Sequence, residues 1–560
     1  MKNWKILAKA KSGDITKILL KSRGIRTKKE VEDFFNPSLS SVSPSSVLIS
    51  KKELKKAVKR ISLAIKNKEG IVIFGDFDTD GICATAILWE TIYQKYKNVF
   101  PYIPKRKEEG YGLSIEGIKN VLSLYPKTKL IITVDNGIVA NKPVEFANKN
   151  KIDVIITDHH QKSKKLPKAF AIVHTDQVCG AGVAYLLAQN IKNLKNSGDS
   201  SVALLPQNDI KDDHLELVAL ATVADMVPLI GANRTLLKFG LEKLKKTKRM
   251  GLLELFDEAG IKSEEVGVYE IGHMIAPRLN ATGRLSHAMD SLRLVCAINK
   301  EKAKEFALFL GKINKERQEV TEQTANHAKS KSFSVESFSK IVFVSSKNYD
   351  QGVIGLVASR LVDEYYKPSF VISVGEKYSK GSARSIRGVN IIEMIRSVSN
   401  FVVECGGHPM AAGFTVETEK IEEFKEELEK KADEIISDDL LQKTIVIDMP
   451  LNFENIDFDL YRKMQAFSPF GIGNPQPTFL SKNVVVEDLR LVGMNGRHVK
   501  FNLGTRTSGI KFDAIGFGMG DFVRKNIHLG DKIDVVYNID ENVWNGNSSL
   551  QLKIKDLRLN

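Results

Sequence analysis

Gly75-Asp76-Phe77-Asp78-Thr79-Asp80-Gly81, Val134-Asp135-Asn136-Gly137 and Thr157-Asp158-His159-His160 decide how this chain folds. Each follows an apolar run that reads as a buried strand: Ile71–Phe74, Leu130–Thr133 and Ile152–Ile156. Helical stretches follow the first two runs, at Cys83–Tyr96 and Lys142–Asn150. Such alternation predicts a parallel sheet with right-handed crossovers. The ligand crevice of that kind of sheet lies beyond the carboxyl ends of its strands. Five carboxylates and two imidazoles therefore stand where a ligand would bind. Crowded carboxylates repel one another unless a cation neutralises them. The economical reading is a divalent-metal site built for hydrolysis.

The chain has 560 residues, room for roughly 3 to 4 domains of about 150 residues. Its composition, 42% hydrophobic and 27% charged, is that of an ordinary globular protein. Lysine and arginine outnumber aspartate and glutamate by 83 to 68, a net charge of +15. A carboxylate site pulls the total negative, so the basic excess lies elsewhere and favours a polyanionic partner, most simply nucleic acid. A lysine-rich solvated surface would give the same sum, and charge alone does not separate DNA, RNA and anionic lipid. Cys83, Cys179, Cys296 and Cys405 are far apart and form no CxxC pair. They read as reduced thiols of a cytoplasmic protein, neither a disulfide frame nor a zinc site. No apolar run approaches the ~20 residues that span a bilayer, and the lysine-broken start does not read as a signal peptide. No membrane contact is expected.

The expected organisation runs as follows. Residues 1–50 form a polar lead-in and residues 51–298 a first α/β domain. Within that domain Asp213–Ala224 reads as a buried helix ending at Asp225. Phe306, Leu310 and Ile313 mark a long amphipathic connecting helix over 299–335. A second α/β domain, 336–440, opens at Ile341–Val344 and continues through helical Gly355–Tyr366 to Ser369–Ser373. Short alternating runs punctuated by Gly, Asn and Asp then fill 441–560, from Val484–Val486 to Leu550–Ile554, and predict a small all-β barrel.

Asp76, Asp78 and Asp80 alternate, so an extended segment would turn them to one face. Oxygen-rich ligation with one or two imidazoles suits Mn²⁺ or Mg²⁺ better than structural zinc. Two such ions about 3.5–4 Å apart can clamp the attacking and leaving oxygens of a phosphoryl transfer. The DxDxDG string also looks like the start of an EF-hand loop. However, the twelfth position from Asp76 is Ile87 rather than Glu, and a strand precedes the string in place of a helix. Each fragment alone is weak; all of them in order on consecutive strand ends are strong.

In that order, GDFDTDG, VDNG, TDHH and ATVADMVP resemble the four motifs of the DHH phosphoesterase superfamily. Gly406-Gly407-His408-Pro409-Met410-Ala411-Ala412-Gly413 is similar to the signature of its DHHA1 companion domain. The RecJ family of single-strand-specific exonucleases is the nearest branch. Its likeness runs from about residue 50 to the C-terminus and includes the stretches 102–112, Ala276–Arg284 and Pro469–Pro475. The resemblance implies a DHH catalytic domain, a DHHA1 domain and a C-terminal OB fold. It makes Asp76, Asp78, Asp80, Asp135, His159 and Asp225 the ligands of two Mn²⁺ or Mg²⁺ ions, with Asp135 as the bridge. Asp158 would orient the histidines, and His160 would face the scissile phosphate. Arg106, Arg278, Asn280 and Arg284, in glycine-punctuated loops, would line the DNA path; any one arginine taken blind would be ordinary ion pairing. Ser382, Arg384, Gly406, Gly407 and His408, read as backbone-exposing turns, would grip the 5′-terminal phosphate and so fix polarity. Val173-His174-Thr175-Asp176 departs from the family, which has an asparagine–proline turn there.

In the tail, Phe501, Phe512, Phe517 and Trp544 lie among Arg490, Arg497, Lys500, Arg506 and Lys511, a mixture suited to unpaired bases. Most of those aromatics are expected in the barrel core. The leading expectation is a metal-dependent 5′→3′ exonuclease that degrades single-stranded DNA to 5′-mononucleotides in repair and recombination. It would act as a monomer, beside a helicase and a single-strand-binding protein. One alternative is a DHH phosphodiesterase of short oligonucleotides or cyclic dinucleotides, against which the tail and the +15 charge argue. Another is a non-catalytic DNA-binding scaffold, against which the complete ligand set argues.

Overall fold

The computed structural model describes residues 2–8, 14–192, 214–334, 339–505, 509–544 and 546–560. Asp213 and Arg506 lie outside the described residues, as does the side chain of Trp544. The chain divides into two compact units. One contains residues 39–227 and 236–443, and the other residues 1–38, 228–235 and 444–560.

The larger unit starts with helix α1 (Lys51–Lys66), capped by the Ser50 side chain. Strands β1 (Gly70–Phe74), β2 (Val99–Tyr102), β3 (Thr128–Val134), β4 (Asp153–Asp158) and β5 (Ala171–His174) then form a sheet in the order β2-β1-β3-β4-β5. Every pairing is parallel, as the strand–helix alternation predicts. Strand order reverses beside β1, where a doubly wound sheet opens its crevice. Helix α2 (Thr79–Tyr93) leaves β1 and is buried along most of its length. Helices α3 (Gly180–Lys192) and α4 (Leu215–Ala224) are buried on nearly every side, which suits their near-continuous apolar sequences. Helix α5 (Ala276–Leu285) follows, and then the 35-residue α6 (Lys300–Ser334), about 50 Å long at 1.5 Å per residue.

Beyond α6 comes a mixed sheet of β6 (Val342–Ser346), β7 (Ser369–Ser373), β8 (Tyr378–Arg384), β9 (Val402–His408) and β10 (Ala411–Glu417). Its order is β9-β10-β8-β7-β6, with only β6–β7 parallel. Helix α7 (Ile354–Tyr365) connects β6 to β7.

In the smaller unit, β11 (Phe479–Val492), β12 (His498–Gly504), β13 (Lys511–Gly516), β14 (Lys532–Trp544) and β15 (Asn547–Leu559) close into a five-stranded barrel, because β11 pairs with both β12 and β14. Phe479, Val499, Phe501, Tyr537 and Leu552 fill its interior. The first residues belong to this unit: Asn3–Ile6 pairs in parallel with Thr444–Ile447. Arg234, 1% exposed, gives its guanidinium to the carbonyls of Phe34, Phe467 and Ser468 at 2.8–3.0 Å. Arg23 donates to Asn474 Oδ1 (2.7 Å) and Pro475 O (2.5 Å). The motif Pro469–Pro475 is thus an arginine-anchored loop.

Glu90 of α2 is the hub of an ion network. Arg249 Nη2 (2.7 Å) and His214 Nε2 (2.8 Å) reach it, and Arg249 Nε reaches Glu216 of α4 at 2.6 Å. This network ties together two helices whose ends carry site residues. Burial raises the Glu90 carboxyl's pKa, but the Arg249 and His214 hydrogen bonds outweigh it and bring the carboxyl from 4.5 down to about 2. A depressed carboxyl stabilises the fold above its unfolded value and loses that contribution as pH falls from about 4.5 towards 2. Glu90→Gln should therefore cost about 3 kcal/mol at neutral pH. It should also flatten the acid limb of a thermal-midpoint-versus-pH curve; an unchanged limb would remove Glu90 from the account.

Candidate metal centre and strand-binding face

The sheet register sets the site. Phe74 is level with Thr133, and Thr133 with Ile156. Asp76, Asp135 and Asp158 each lie two residues further on, so they leave β1, β3 and β4 at one height. The Asp76–Asp80 segment is not extended as its alternation predicts. Asp78 instead caps α2, accepting Gly81 N–H at 3.0 Å, and Asp80 stands in the first turn of that helix. The three carboxylates converge because the chain turns. Gly81 allows it, since a Cβ there would fall 2.6 Å from the Asp76 side chain.

Two carboxylates are held by amides. Asp80 accepts Gly180 N–H and Ala181 N–H, both at 2.7 Å, and so caps α3. Asp158 accepts the amides of His159 (2.7 Å), His160 (3.1 Å) and Ile138 (2.9 Å), and meets His160 Nδ1 at 2.8 Å. The departing segment at His174 supports the same loop: its Nε2 meets the His160 carbonyl at 2.7 Å. By contrast, Asp135 Oδ1 and His159 Nε2 are buried with no hydrogen-bond partner, 3.1 Å apart. Ligand atoms of Asp80, His159 and Asp225 lie within 4.8 Å of one another, as do those of Asp76, Asp78 and Asp135. Asp135, held at φ 62°, borders both groups. Orphaned buried donors of this kind, all oxygen and imidazole, fit two hard divalent cations. His160 joins Asp135 and His159 in a third such group.

Electrostatics point the same way. Burial, and then the charge of Asp78, push Asp76 well above the carboxylate range and Asp80 up to about 7. Burial with Asp80 does the same to Asp135, and lifts Asp225, at the C-terminal end of α4, to about 8. Burial and the neighbouring His160 hold His159 down to about 3, neutral and able to ligate. Burial opposes charge on His160 too, but its bond to Asp158 wins and raises it to about 9.

Around this centre stand arginines. Arg106 lies 5.1 Å over the Phe77 ring. Arg284, at the end of α5, donates to Gly352 O at 3.1 Å. Burial and the charges of Arg106, Arg317 and Arg384 lower the Arg284 guanidinium to about 9. Arg384 Nη1 meets Ser382 Oγ at 3.1 Å. Gly406 of β9, Gly413 of β10 and Ser382 of β8 stand abreast, and two residues along so do His408, Ala411 and Arg384. A Cβ on Gly406 or Gly413 would meet nothing within 4 Å. These residues form an open face of paired strands, not the turns that the glycines suggested. His408 lies over His160, ring centres 6.0 Å apart.

Residues 70–222 match the DHH family N-terminal domain, 338–434 the DHHA1 domain and 447–556 the RecJ OB domain. The single-stranded-DNA-specific exonuclease RecJ of Bacillus subtilis is 35% identical over 90% of this chain, and that of Haemophilus influenzae 29% over 96%. The manganese-bound RecJ of Thermus thermophilus superposes with a TM-score of 0.82 at 26% identity, over 99% of this chain and 79% of that one. The chain belongs to the RecJ family. It spans 63% of the Bacillus subtilis relative and 94% of the Haemophilus influenzae one.

Within this RecJ-family frame the structure shows how two residues expected to line the DNA path are held. Arg278 lies on α5, not in a loop, and its Nε meets Glu258 Oε2 (2.5 Å) and its Nη1 meets Met274 O (2.8 Å). Asn280 Oδ1 takes both the N–H and hydroxyl of Thr79 at 2.7 Å, so it braces the Asp78–Asp80 turn. Sequence reading missed Arg317, whose buried Nε has no partner, because it hides among the charges of α6. It also missed Tyr111, whose hydroxyl meets His160 Nε2 at 3.2 Å. In the barrel Phe501 is core, Phe512 packs on Phe453 and Phe517 is exposed. Gly180 leaves no room above Asp135: a Cβ there would sit 2.5 Å from Asp135 Oδ1. Gly180→Ala should thus weaken Mn²⁺ binding at least about tenfold by calorimetry while the fold persists; unaltered affinity would detach Asp135 from the metal.

Proposed function

We propose that this chain is a metal-dependent exonuclease that degrades single-stranded DNA from the 5′ end, releasing 5′-mononucleotides in repair and recombination. The observation that carries the reading is the pair of buried, unpartnered ligand atoms, Asp135 Oδ1 and His159 Nε2, set between two carboxylate groups. Asp80, His159 and Asp225 would hold one ion, Asp76 and Asp78 the other, with Asp135 between them. Bound there, the pair would supply Lewis-acid stabilisation of the attacking and leaving oxygens. Asp158 orients the histidine loop through its amide bonds. His160 offers a cation's hydrogen bond to the scissile phosphate. Arg106, Arg284, Arg317 and Arg384 repel one another, and a dianionic strand end relieves that repulsion. With Ser382, Gly406, Gly407 and His408 they would seat the 5′-phosphate, so that only the next linkage meets the metals.

The reading places the protein in the cytoplasm, as a monomer working beside a helicase and a single-strand-binding protein. Among the described residues, no helix is long and apolar enough to cross a membrane. The domain limits that go with it are 51–298, 299–335, 336–440 and 441–560. Retention of every ligand speaks against a silent scaffold. The barrel unit speaks against a dinucleotide-only enzyme.

Asp80→Ala or His159→Ala should abolish Mn²⁺-dependent digestion of end-labelled single strands while filter binding to DNA persists; turnover above a few percent of the parent would overturn the ligand assignment. The barrel should carry much of the long-strand affinity. A deletion that tests it must remove residues 1–38 together with 444–560, because Asn3–Ile6 would otherwise lose its paired strand. Such a deletion should weaken binding to long strands and lower the slope of log affinity against log salt; an unchanged slope would relocate the grip.

A further inference from the structure

Next to the arginine cluster is a cavity that the 5′-phosphate reading leaves unused. It holds about 220 Å³ and is lined by Lys105, Arg106, Glu108, Arg284, Ser286 and His287. Arg106 and Arg284 line this cavity and also belong to the proposed grip on the terminal phosphate. The cavity therefore begins where the grip on the terminal phosphate ends. Lys105 adds a further cation to its lining. Lys105 Nζ is paired with Glu108 at 3.0 Å, and their side chains are 51% and 66% exposed. An exposed pair of this kind holds weakly and yields to a stronger anion. His287 Nδ1 accepts Met289 N–H at 3.2 Å, which leaves its Nε2 as the donor nitrogen. Ser286 adds a hydroxyl. Five donor side chains and one weakly held carboxylate line a space matched to phosphate oxygens.

We infer that this cavity receives additional phosphates joined to the first one, so that strands ending in a 5′-triphosphate are substrates. The inference rests on the reading of Arg106, Arg284 and Arg384 as the terminal-phosphate grip. In the extended substrate the α-phosphate occupies that grip, while the β- and γ-phosphates reach Lys105 and His287. The scissile linkage stays in register with the metals. Water's oxygen joins the phosphorus of the first linkage and the bond from that phosphorus to the first nucleotide's 3′-oxygen breaks. A proton passes to that oxygen, and the first nucleotide leaves as an intact nucleoside 5′-triphosphate. The rest of the strand keeps an ordinary 5′-phosphate.

Three synthetic DNA strands of one sequence test this, ending in 5′-hydroxyl, 5′-monophosphate and 5′-triphosphate. They are digested by the full chain with Mn²⁺ and the released nucleotides are resolved by ion-exchange chromatography. The expected result is digestion of both phosphorylated strands, with nucleoside triphosphate as the first product of one. Lys105→Ala/His287→Ala should slow the triphosphate strand about tenfold, the worth of one charge-assisted hydrogen bond. The same variant should leave the monophosphate strand unchanged, which also shows that it is folded. A triphosphate strand that stays intact while the monophosphate strand is consumed would overturn the inference and spare the reading beneath it. So would a variant that slows neither strand. Equal digestion of hydroxyl and monophosphate ends would overturn both.

Discussion

Mutual repulsion among buried carboxylates is the constraint around which the larger unit is built. Asp76, Asp80, Asp135 and Asp225 are all held above their ordinary range by burial and by one another. Such a set does not stabilise a fold by itself, since desolvated like charges oppose it. The surrounding architecture has to impose the arrangement. Parallel register brings Asp76 and Asp135 out at one height, helix caps fix Asp78 and Asp80, and the Glu90–Arg249–Glu216 network locks the helices behind them. Stability is thus spent on holding a site whose charge only a cation balances.

The second layer of support comes from segments that look like ligand contacts in the sequence. Asn280 and Gly283 of α5 back the aspartate turn: one takes the Thr79 donors, and the other leaves no space for a Cβ against Phe77 O, 2.4 Å away. Arg278 is neutralised by Glu258, and Pro469–Pro475 is a clasp for Arg23 and Arg234. Motif density marks both chemistry and the bracing that chemistry needs.

Strands β1, β3 and β4 were legible because a strand covered on both faces is an unbroken apolar run. So was the gathering of carboxylates and imidazoles beyond those runs. The turn at Asp76–Asp80 was not, because alternating aspartates look alike in a strand and at a helix cap. Gly406 and Gly407 read as turns because glycine favours them, yet register with Gly413 and Ala412 makes them strand. Arg317 and the pairing of Asn3–Ile6 with Thr444–Ile447 depend on partners far away in the chain, and no local pattern reports them.

The row Gly406–Gly413–Ser382 has a consequence of its own. Across two adjacent strands the sheet presents peptide planes with no side chain standing on them, and their N–H and C=O groups serve the ladder. Proteins tell bases apart chiefly by the donors, acceptors and methyl group along their edges. A bare floor has nothing to set against those differences. A strand seated there as proposed would meet no side-chain donor or acceptor over the glycines, so indifference to letter order would be written into the backbone itself.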